Sequence, residues 1–410
     1  MRKTVTLLLT SFLTLASLSG CGNNAANESS DKIKIEFFHY KTEAKGTFDQ
    51  LIEKFEEENP GIDVVQSNPP DSETVLKMRV VKREIPDVIG IGANFTFADL
   101  ANAKIFKDLT GNELLKDIQP DYVQMMKEVP AVEEVYAVPY AANASAVIYN
   151  KDIFKELGLE VPTTWDEFIK TAETIKAAGK IPFYFTFKDA WTTLPSYNAL
   201  AANTQGETFY QDLRKGETTF AKGHKEAAEK LLKLVEYGHK AQYGRAYSDG
   251  NIAFAKGESA MYLQGIWAIP EIKKANPDIN LGVFPYPVTN KPGGSKLVSG
   301  VDLLLAFPTT SEHPEEAKKF VEFLLDDENI KTYINQQNAF SAKKSVVQED
   351  PVLEGLKASI EKGELLDFPD HYVPIAVGLE KQLQVLTQKK DVDQFLKTLD
   401  KEWSKVQDRQ

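Results

Sequence analysis

One cysteine, Cys21, is all that the 410-residue chain contains. Disulfides, thiolate nucleophiles and cysteine-ligated metals are therefore excluded for everything that follows it. Histidine is scarce as well. The five present, His39, His224, His239, His313 and His371, form no His-x-x-x-His or Glu-flanked pair of the kind a metal site uses. Beyond the first twenty residues no run approaches the roughly 18 apolar residues that a membrane-spanning helix needs. An excess of positive charge is missing too: 48 Lys and Arg stand against 60 Asp and Glu, a formal charge of −12. Such a surface repels nucleic acid and anionic headgroups, and no Lys/Arg stripe compensates. There is no Gly-x-x-x-x-Gly-Lys-Ser/Thr loop, since Lys291-Pro292-Gly293-Gly294-Ser295-Lys296 is a turn sequence with the wrong spacing. Nucleotide chemistry is accordingly unsupported.

What is present begins at the N-terminus. Arg2 and Lys3 precede an apolar run from Val5 to Leu18, the length of a secretory h-region and short for a bilayer span. Leu18-Ser19-Gly20-Cys21 resembles a bacterial lipobox, which implies cleavage before Cys21 and acylation of that residue. The expected layout is a signal peptide over 1–20 and a lipidated tether over 21–30, small, polar and flexible. The lipid would hold the protein on the extracytoplasmic face of a cell membrane. An ordinary secretory signal with an incidental cysteine is the alternative.

The rest of the chain, 42% hydrophobic overall, is more than one core usually serves, so two lobes are expected. Ile33-Lys34-Ile35-Glu36-Phe37 alternates as a strand. Phe48, Leu51, Ile52 and Phe55 follow at helical spacing up to Asn59-Pro60-Gly61, then a strand at Ile62 to Val65, a helix at Val75 to Val81 and an apolar run at Val88 to Ile91. This alternation predicts an α/β lobe with a largely parallel sheet. Thr164 and Glu167 form a capping-box pattern ahead of a helix, which makes Trp165 a packing residue. Amphipathic helices are predicted from Pro314 to Leu325 and around Phe395 to Val406. No linker divides the middle of the chain, which suggests that it passes between lobes more than once.

Several blocks together resemble the family 1 extracellular solute-binding proteins, the carbohydrate-capturing lipoproteins of bacterial ABC importers. They are Phe48 to Gly61, Pro86-Asp87-Val88, Tyr136 to Tyr140 through Ile148 to Phe154, Pro162 to Phe168, and Phe254 to Met261 leading to Gly265-Ile266-Trp267. The resemblance implies an α/β two-lobe clamp of the periplasmic-binding-protein type II, with ligand in the interlobe cleft and closure by a hinge. By analogy the chain crosses near Asn143, near Lys296 to Gly300 and near Asp326. One lobe would then comprise 31–142 and 298–326, the other 143–297 and 327–410. Implied partners are a mono- or oligosaccharide and the subunits of an ABC permease. The receptor would work as a monomer without cofactor, and its overall look is nearest to receptors for raffinose and melibiose.

A sugar offers hydroxyls around its rim and an apolar C–H face, so its site needs aromatic plates and Asp, Asn, Glu or Gln around them. Trp191 lies where the family carries a stacking aromatic, and Trp267 matches its glycine-x-tryptophan position, with Gln264 just before. Tyr140, Asn143 and Asp302 fall at the implied crossings. His39, Tyr40 and Glu43 follow the first strand. Asn94 and Phe95 stand where maltose-type relatives carry charged contacts, a departure that points away from maltodextrins. Phe340 matches a segment that closes the cleft in relatives. Each has a plainer reading as core packing or surface charge. Two other functions remain open from residues alone: a cell-surface glycosidase using carboxylates such as Glu43 and Asp302, and a clamp for a metal ion.

Overall fold

The computed structural model describes residues 32–363 and 365–408. Cys21, the signal segment and the tether lie outside the described residues. Among those described, no helix is long and apolar enough to cross a membrane.

The first lobe grows from the alternation seen in the sequence. Strand β1 (Ile33–His39) buries Ile35, Phe37 and Phe38 and pairs in parallel with β2 (Ile62–Ser67) and β3 (Val88–Ile91). Helix α1 (Lys45–Glu58) lays Phe48, Leu51, Ile52 and Phe55 on the sheet, one apolar stripe at 3–4 residue spacing. Phe37 meets Phe48 edge-on at 5.0 Å and Phe320 at 5.4 Å, so the ring cluster joins α1 to the later helix Pro314–Leu324. Helices α2 (Ser72–Lys82) and α3 (Phe95–Asn102) follow β2 and β3. Arg79 reaches Glu36 with both guanidinium nitrogens at 2.6 Å, tying α2 to the sheet.

Two long strands cross between the lobes. Strand β4 (Val138–Asn150), which follows α4 (Pro120–Glu128), pairs over Val138–Ala144 with β8 (Leu297–Ala306), and from Ser145 onward with β6 (Ser259–Gly265) and β7 (Leu281–Phe284). Pro139 offers no N–H, and the register slips on either side of Ala141. The full sheet runs β2-β1-β3-β8-β4-β6-β5, with β5 (Ile181–Phe183) at the far edge. One core gathers around Phe37, Phe48, Tyr140 and Tyr333. The other gathers around Phe168, Phe183, Tyr197, Leu231 and Trp403.

The capping box is present: Thr164 Oγ1 accepts from the Glu167 N–H and the Glu167 carboxylate accepts from the Thr164 N–H. Trp165 packs edge-on against Phe168 and under the Lys230 ammonium at 4.6 Å.

The third crossing falls later than Asp326. Helix Asp327–Gln337 packs on α1, with Tyr333 against Phe48 (5.2 Å) and Tyr140 (5.0 Å) and Thr47 bonded to Gln336 and Gln337. Strand β9 (Phe340–Ser341) then pairs with Ala141 and Ala142 of β4, and Lys344 N–H donates to the Asp117 carbonyl. Residues 327–345 therefore sit with the first lobe and not, as the resemblance implied, with the second. Asp350 marks the passage, accepting from Asn338 (2.7 Å) and from Lys273 (3.0 Å).

Past it, helix Glu354–Glu361 seats so closely on β7 that a Cβ on Gly355 would stand 1.9 Å from the Val283 carbonyl oxygen. Gly-to-Ala in a helix ordinarily gains up to about 1 kcal/mol. Here overpacking reverses the sign, and Gly355→Ala is expected to lower stability by about 1–3 kcal/mol in urea unfolding. A stabilised variant would show that this helix is not seated on β7.

Candidate ligand-binding cleft

A cavity of about 320 Å³ lies where the lobes face each other. The first lobe supplies Tyr40, Lys41 and Glu43 from the loop after β1, with Gly92 and Asn94 after β3. The crossing strands supply Asn143 and Asp302. The second lobe supplies Trp191, Leu194, Pro195, Asn198, Trp267, Phe368, Asp370 and His371. A larger groove of about 730 Å³ lies between α4 and residues 202–215, but charged side chains such as Lys127, Glu133, Glu207 and Lys215 line it and no tryptophan does. Aromatic faces and convergent polar groups together favour the smaller cavity.

Asp302 organises the floor. Its carboxylate accepts from Lys41 Nζ (2.8 Å), Asn143 Nδ2 (2.7 Å) and Tyr40 Oη (2.9 Å), and the same phenol lies 2.6 Å from its backbone carbonyl. Lys41 also meets Glu43 at 2.8 Å. Burial works against the Lys41 charge, yet the carboxylates of Asp302 and Glu43 hold its pKa well above the usual lysine range. Burial alone would raise Glu43, and Lys41 reverses this, so its carboxyl titrates lower than usual. Burial and the Asp302 charge push the Tyr40 phenol well up. Asn143 Oδ1, also buried, has no donor among the described residues.

Segment 367–371 forms the second polar group. His371 Nδ1 contacts Asp367 Oδ1 at 2.9 Å. Burial opposes protonation, but Asp367 first, then Asp370 and Asp302, raise the imidazole to about 9. Asn198 on the buried helix Leu194–Thr204 donates to Asp370 Oδ1 at 2.7 Å. Burial nevertheless raises the Asp370 carboxyl. Gly300 on β8 makes room for this segment, because a Cβ there would fall 2.0 Å from Asp367 Oδ1.

The aromatic plates are held differently. Trp191 packs against Tyr247 at 4.9 Å, and Trp267 against Phe368 at 6.4 Å. Trp267 folds back over Gly265, where a Cβ would lie 2.0 Å from the indole ring. That contact gives the Gly-x-Trp spacing its physical meaning.

Of the residues singled out by sequence, Tyr40, Glu43, Asn94, Asn143, Trp191, Trp267 and Asp302 line this cavity. Asn94 is also the N-cap of α3, accepting from the Thr96 and Phe97 N–H groups and donating to Glu73 at 2.6 Å. Phe95 opens that helix beside the cavity without lining it. Tyr140 is fully buried between Phe48 and Tyr333, Phe340 is buried in the same core, and Gln264 is buried on β6 opposite Ala146. His39 is buried, stacked on Phe37 and paired with Gln66 at 2.7 Å. Lys41, Asn198, Phe368, Asp370 and His371 also line the cavity, and none of them is among the sequence candidates. Phe368-Pro369-Asp370-His371 carried the available signal, an aromatic beside an acid and an imidazole in a Pro-containing turn.

Because the folded pKa of His371 lies above that of a free imidazole, its protonation stabilises the fold fully below about pH 6.5. The contribution fades as pH rises through about 9. Asp367→Asn is expected to remove that part of the alkaline decline in stability and to lower the His371 titration, followed by imidazole NMR, by at least ~1 unit. A wild-type His371 signal titrating near that of a free imidazole would show that Asp367 does not hold the charge.

With this geometry in place, known proteins can be set beside it. The bacterial extracellular solute-binding protein family matches residues 40–331. The multiple sugar-binding protein of Streptococcus mutans is 35% identical over 348 residues, 82% of each chain. The melibiose/raffinose/stachyose-binding protein MelE of Bacillus subtilis is 25% identical over 352 residues, 81% of this chain and 79% of MelE. Among solved structures, RafE in complex with raffinose superposes with a TM-score of 0.81 at 30% identity, over 92% of this chain and 100% of that one. Apo RafE from Streptococcus pneumoniae gives 0.78 at 31% identity, over 92% and 98%. This chain belongs to the bacterial extracellular solute-binding protein family.

Proposed function

We propose that this protein captures an oligosaccharide, of the α-galactoside class named for MelE and RafE, and delivers it by hinge closure to the permease of an ABC importer. The observation that carries the reading is the meeting of Trp191 and Trp267 with Asp302, Asn143, Asn198 and Glu43 in one interlobe cavity. Indole faces suit the C–H face of a pyranose, and carboxylates and amides suit its hydroxyls. The buried Asn143 Oδ1 is an acceptor that a ligand hydroxyl would satisfy. Ligand seated on both sides of β4 and β8 stabilises the closed lobes, the form a permease would distinguish. Cys21 would carry the lipid that keeps the receptor beside that permease on the outer face of the membrane.

The glycosidase reading loses ground on one geometric point. Glu43 and Asp302 share the Lys41 ammonium, and Glu43 is driven down in pKa, the reverse of what a general acid needs. As for a metal clamp, no three His, Cys, Asp or Glu side chains among the described residues could hold an ion together.

Thermal unfolding of the protein lacking residues 1–21, with a panel of mono- and oligosaccharides and with metal ions and amino acids as controls, tests the function. A sugar at about 100 times its dissociation constant adds roughly 2.7 kcal/mol. Silence from every sugar would overturn the proposal. Trp267→Ala is expected to weaken the sugar that binds by more than about 1.4 kcal/mol, roughly tenfold. Gly265→Ala should approach the same loss with the indole still present, and unchanged affinity in both would remove Trp267 from the site. Cys21→Ala should leave the protein unprocessed or released into the medium. Metabolic labelling that still finds an acylated, membrane-bound Cys21→Ala protein would defeat the anchor assignment.

A further inference from the structure

No single segment of the sequence carries a basic stripe, yet the fold gathers one on the second lobe. Helix Leu379–Lys389 turns Val385 outward, 49% exposed, with the exposed Lys381 and Lys389 one turn before and after it on the same face. Gln384 of this helix donates to the Phe187 carbonyl at 2.5 Å, and Tyr243 Oη donates to the Thr387 carbonyl at 2.7 Å. The Lys188 N–H in turn donates to the Arg245 carbonyl at 3.1 Å. Segments 187–188, 240–245 and 381–389 are thereby joined into one surface, on which Lys188, Lys240, Tyr243 and Arg245 are exposed. We propose that this face rests on anionic phospholipid headgroups. The inference goes beyond the sugar-binding reading and does not depend on which ligand the cleft holds.

Three observations carry it. First, the charges are available. Lys188, Lys240, Arg245, Lys381 and Lys389 form no ion pair among the described residues. The acids that border them are engaged or peripheral. Asp189 accepts the Tyr247 N–H at 2.8 Å, Asp391 accepts the Gln394 N–H at 2.9 Å, Glu380 is half-buried in the first turn of the helix, and Glu258 flanks only the Arg245 end. The formal charge of −12 opposes an anionic surface as a whole. At about 0.1 M salt, however, exposed charges more than about 10 Å away are largely screened, so the local face decides.

Second, the chemistry fits headgroups better than a protein. Lysine is depleted where proteins meet, and lasting interfaces centre on packed aromatic or arginine anchors. Here four of the five cations are lysines, and none of the five lines either cavity described above. Long lysine stems reach a headgroup layer in many geometries, and each cation near the surface adds to the attraction. Tyr243 and Val385 supply the modest apolar area that such a boundary accepts.

Third, the position is useful. Helix Leu379–Lys389 packs on the short helix Ala190–Thr193, which carries Trp191. Headgroup contact therefore falls beside the cleft wall. The lipid proposed for Cys21 leads into β1 of the first lobe, so the two attachments hold different lobes and set the margin of the cleft along the membrane, beside the permease.

Sedimentation of the protein lacking residues 1–21 with lipid vesicles reads the face without the acyl chains. Binding to vesicles of equal parts phosphatidylglycerol and phosphatidylcholine is expected to exceed binding to pure phosphatidylcholine by at least about tenfold at about 0.1 M salt, and to fall as salt rises to about 0.5 M. The triple variant Lys188→Glu, Lys381→Glu, Lys389→Glu should lose at least about tenfold of the vesicle binding. Its thermal unfolding midpoint should stay within about 3 °C of wild type, the sign of an intact fold. Equal binding to the two vesicle types, binding to neither, or binding that survives in the triple variant overturns the proposal. Retention on immobilised poly-glutamate without vesicle binding assigns the face to an acidic protein and overturns it equally.

Discussion

A carboxylate at a strand crossing cannot be left alone, and Asp302 is surrounded accordingly. Tyr40 and Asn143 come from chain 262 and 159 residues away and Lys41 is the residue after Tyr40, and each would be a costly buried polar group without Asp302. Removing one member of a buried pair leaves an uncompensated charge, at about 3–5 kcal/mol. The network therefore binds the loop after β1, the crossing of β4 and the crossing of β8 into one unit. Because these are also the floor of the cleft, the pairing that joins the two strand crossings also shapes the cavity.

Glycine does the complementary work. Gly265 ends β6 and Gly300 lies on β8, and each accepts a large neighbour at a distance no Cβ allows, Trp267 over one and Asp367 with Phe368 over the other. Neither needs glycine for an unusual dihedral, since neither has positive φ. Space is the reason. The same crowding fixes the direction of two second-lobe side-chain sets toward the cavity, so the plates and the His371 group are positioned by backbone rather than by loop ordering.

What could be read in the chain followed from short-range signals. The stripe of α1, the alternation of β1, the capping box at Thr164 and the Gly-x-Trp at 265–267 are each complete within about a dozen residues, and each is found in the fold. What escaped depends on distant pairing. Lys41 looks like a surface lysine until β8 brings Asp302 to it, and Asp370 has no evident role until Asn198, 172 residues away, donates to it. Tyr140 stands away from the cavity for the opposite reason. An aromatic beside a crossing reads as a cleft wall, but Phe48 and Tyr333 close over it, and Tyr333 belongs to a helix that the family resemblance implied for the other lobe. That same long-range packing moved the third crossing from Asp326 to the neighbourhood of Asp350.

The charges of the cleft also bear on what it can hold. Lys41 is shared by Glu43 and Asp302, His371 is held by Asp367, and Asp370 is bonded to Asn198. An anionic ligand would have to draw Lys41 or His371 away from carboxylates already at hydrogen-bond distance. That exchange leaves a buried ion short of its partner, a loss that a single new contact does not offset. A neutral polyol asks for no such exchange. It can add hydrogen bonds to the outer lone pairs of these groups and to the unmet Asn143 Oδ1 while every ion pair stays intact. The pre-paired cations are therefore a filter as well as a scaffold, and they favour an uncharged, hydroxyl-rich ligand over an acid that two buried cations would otherwise attract.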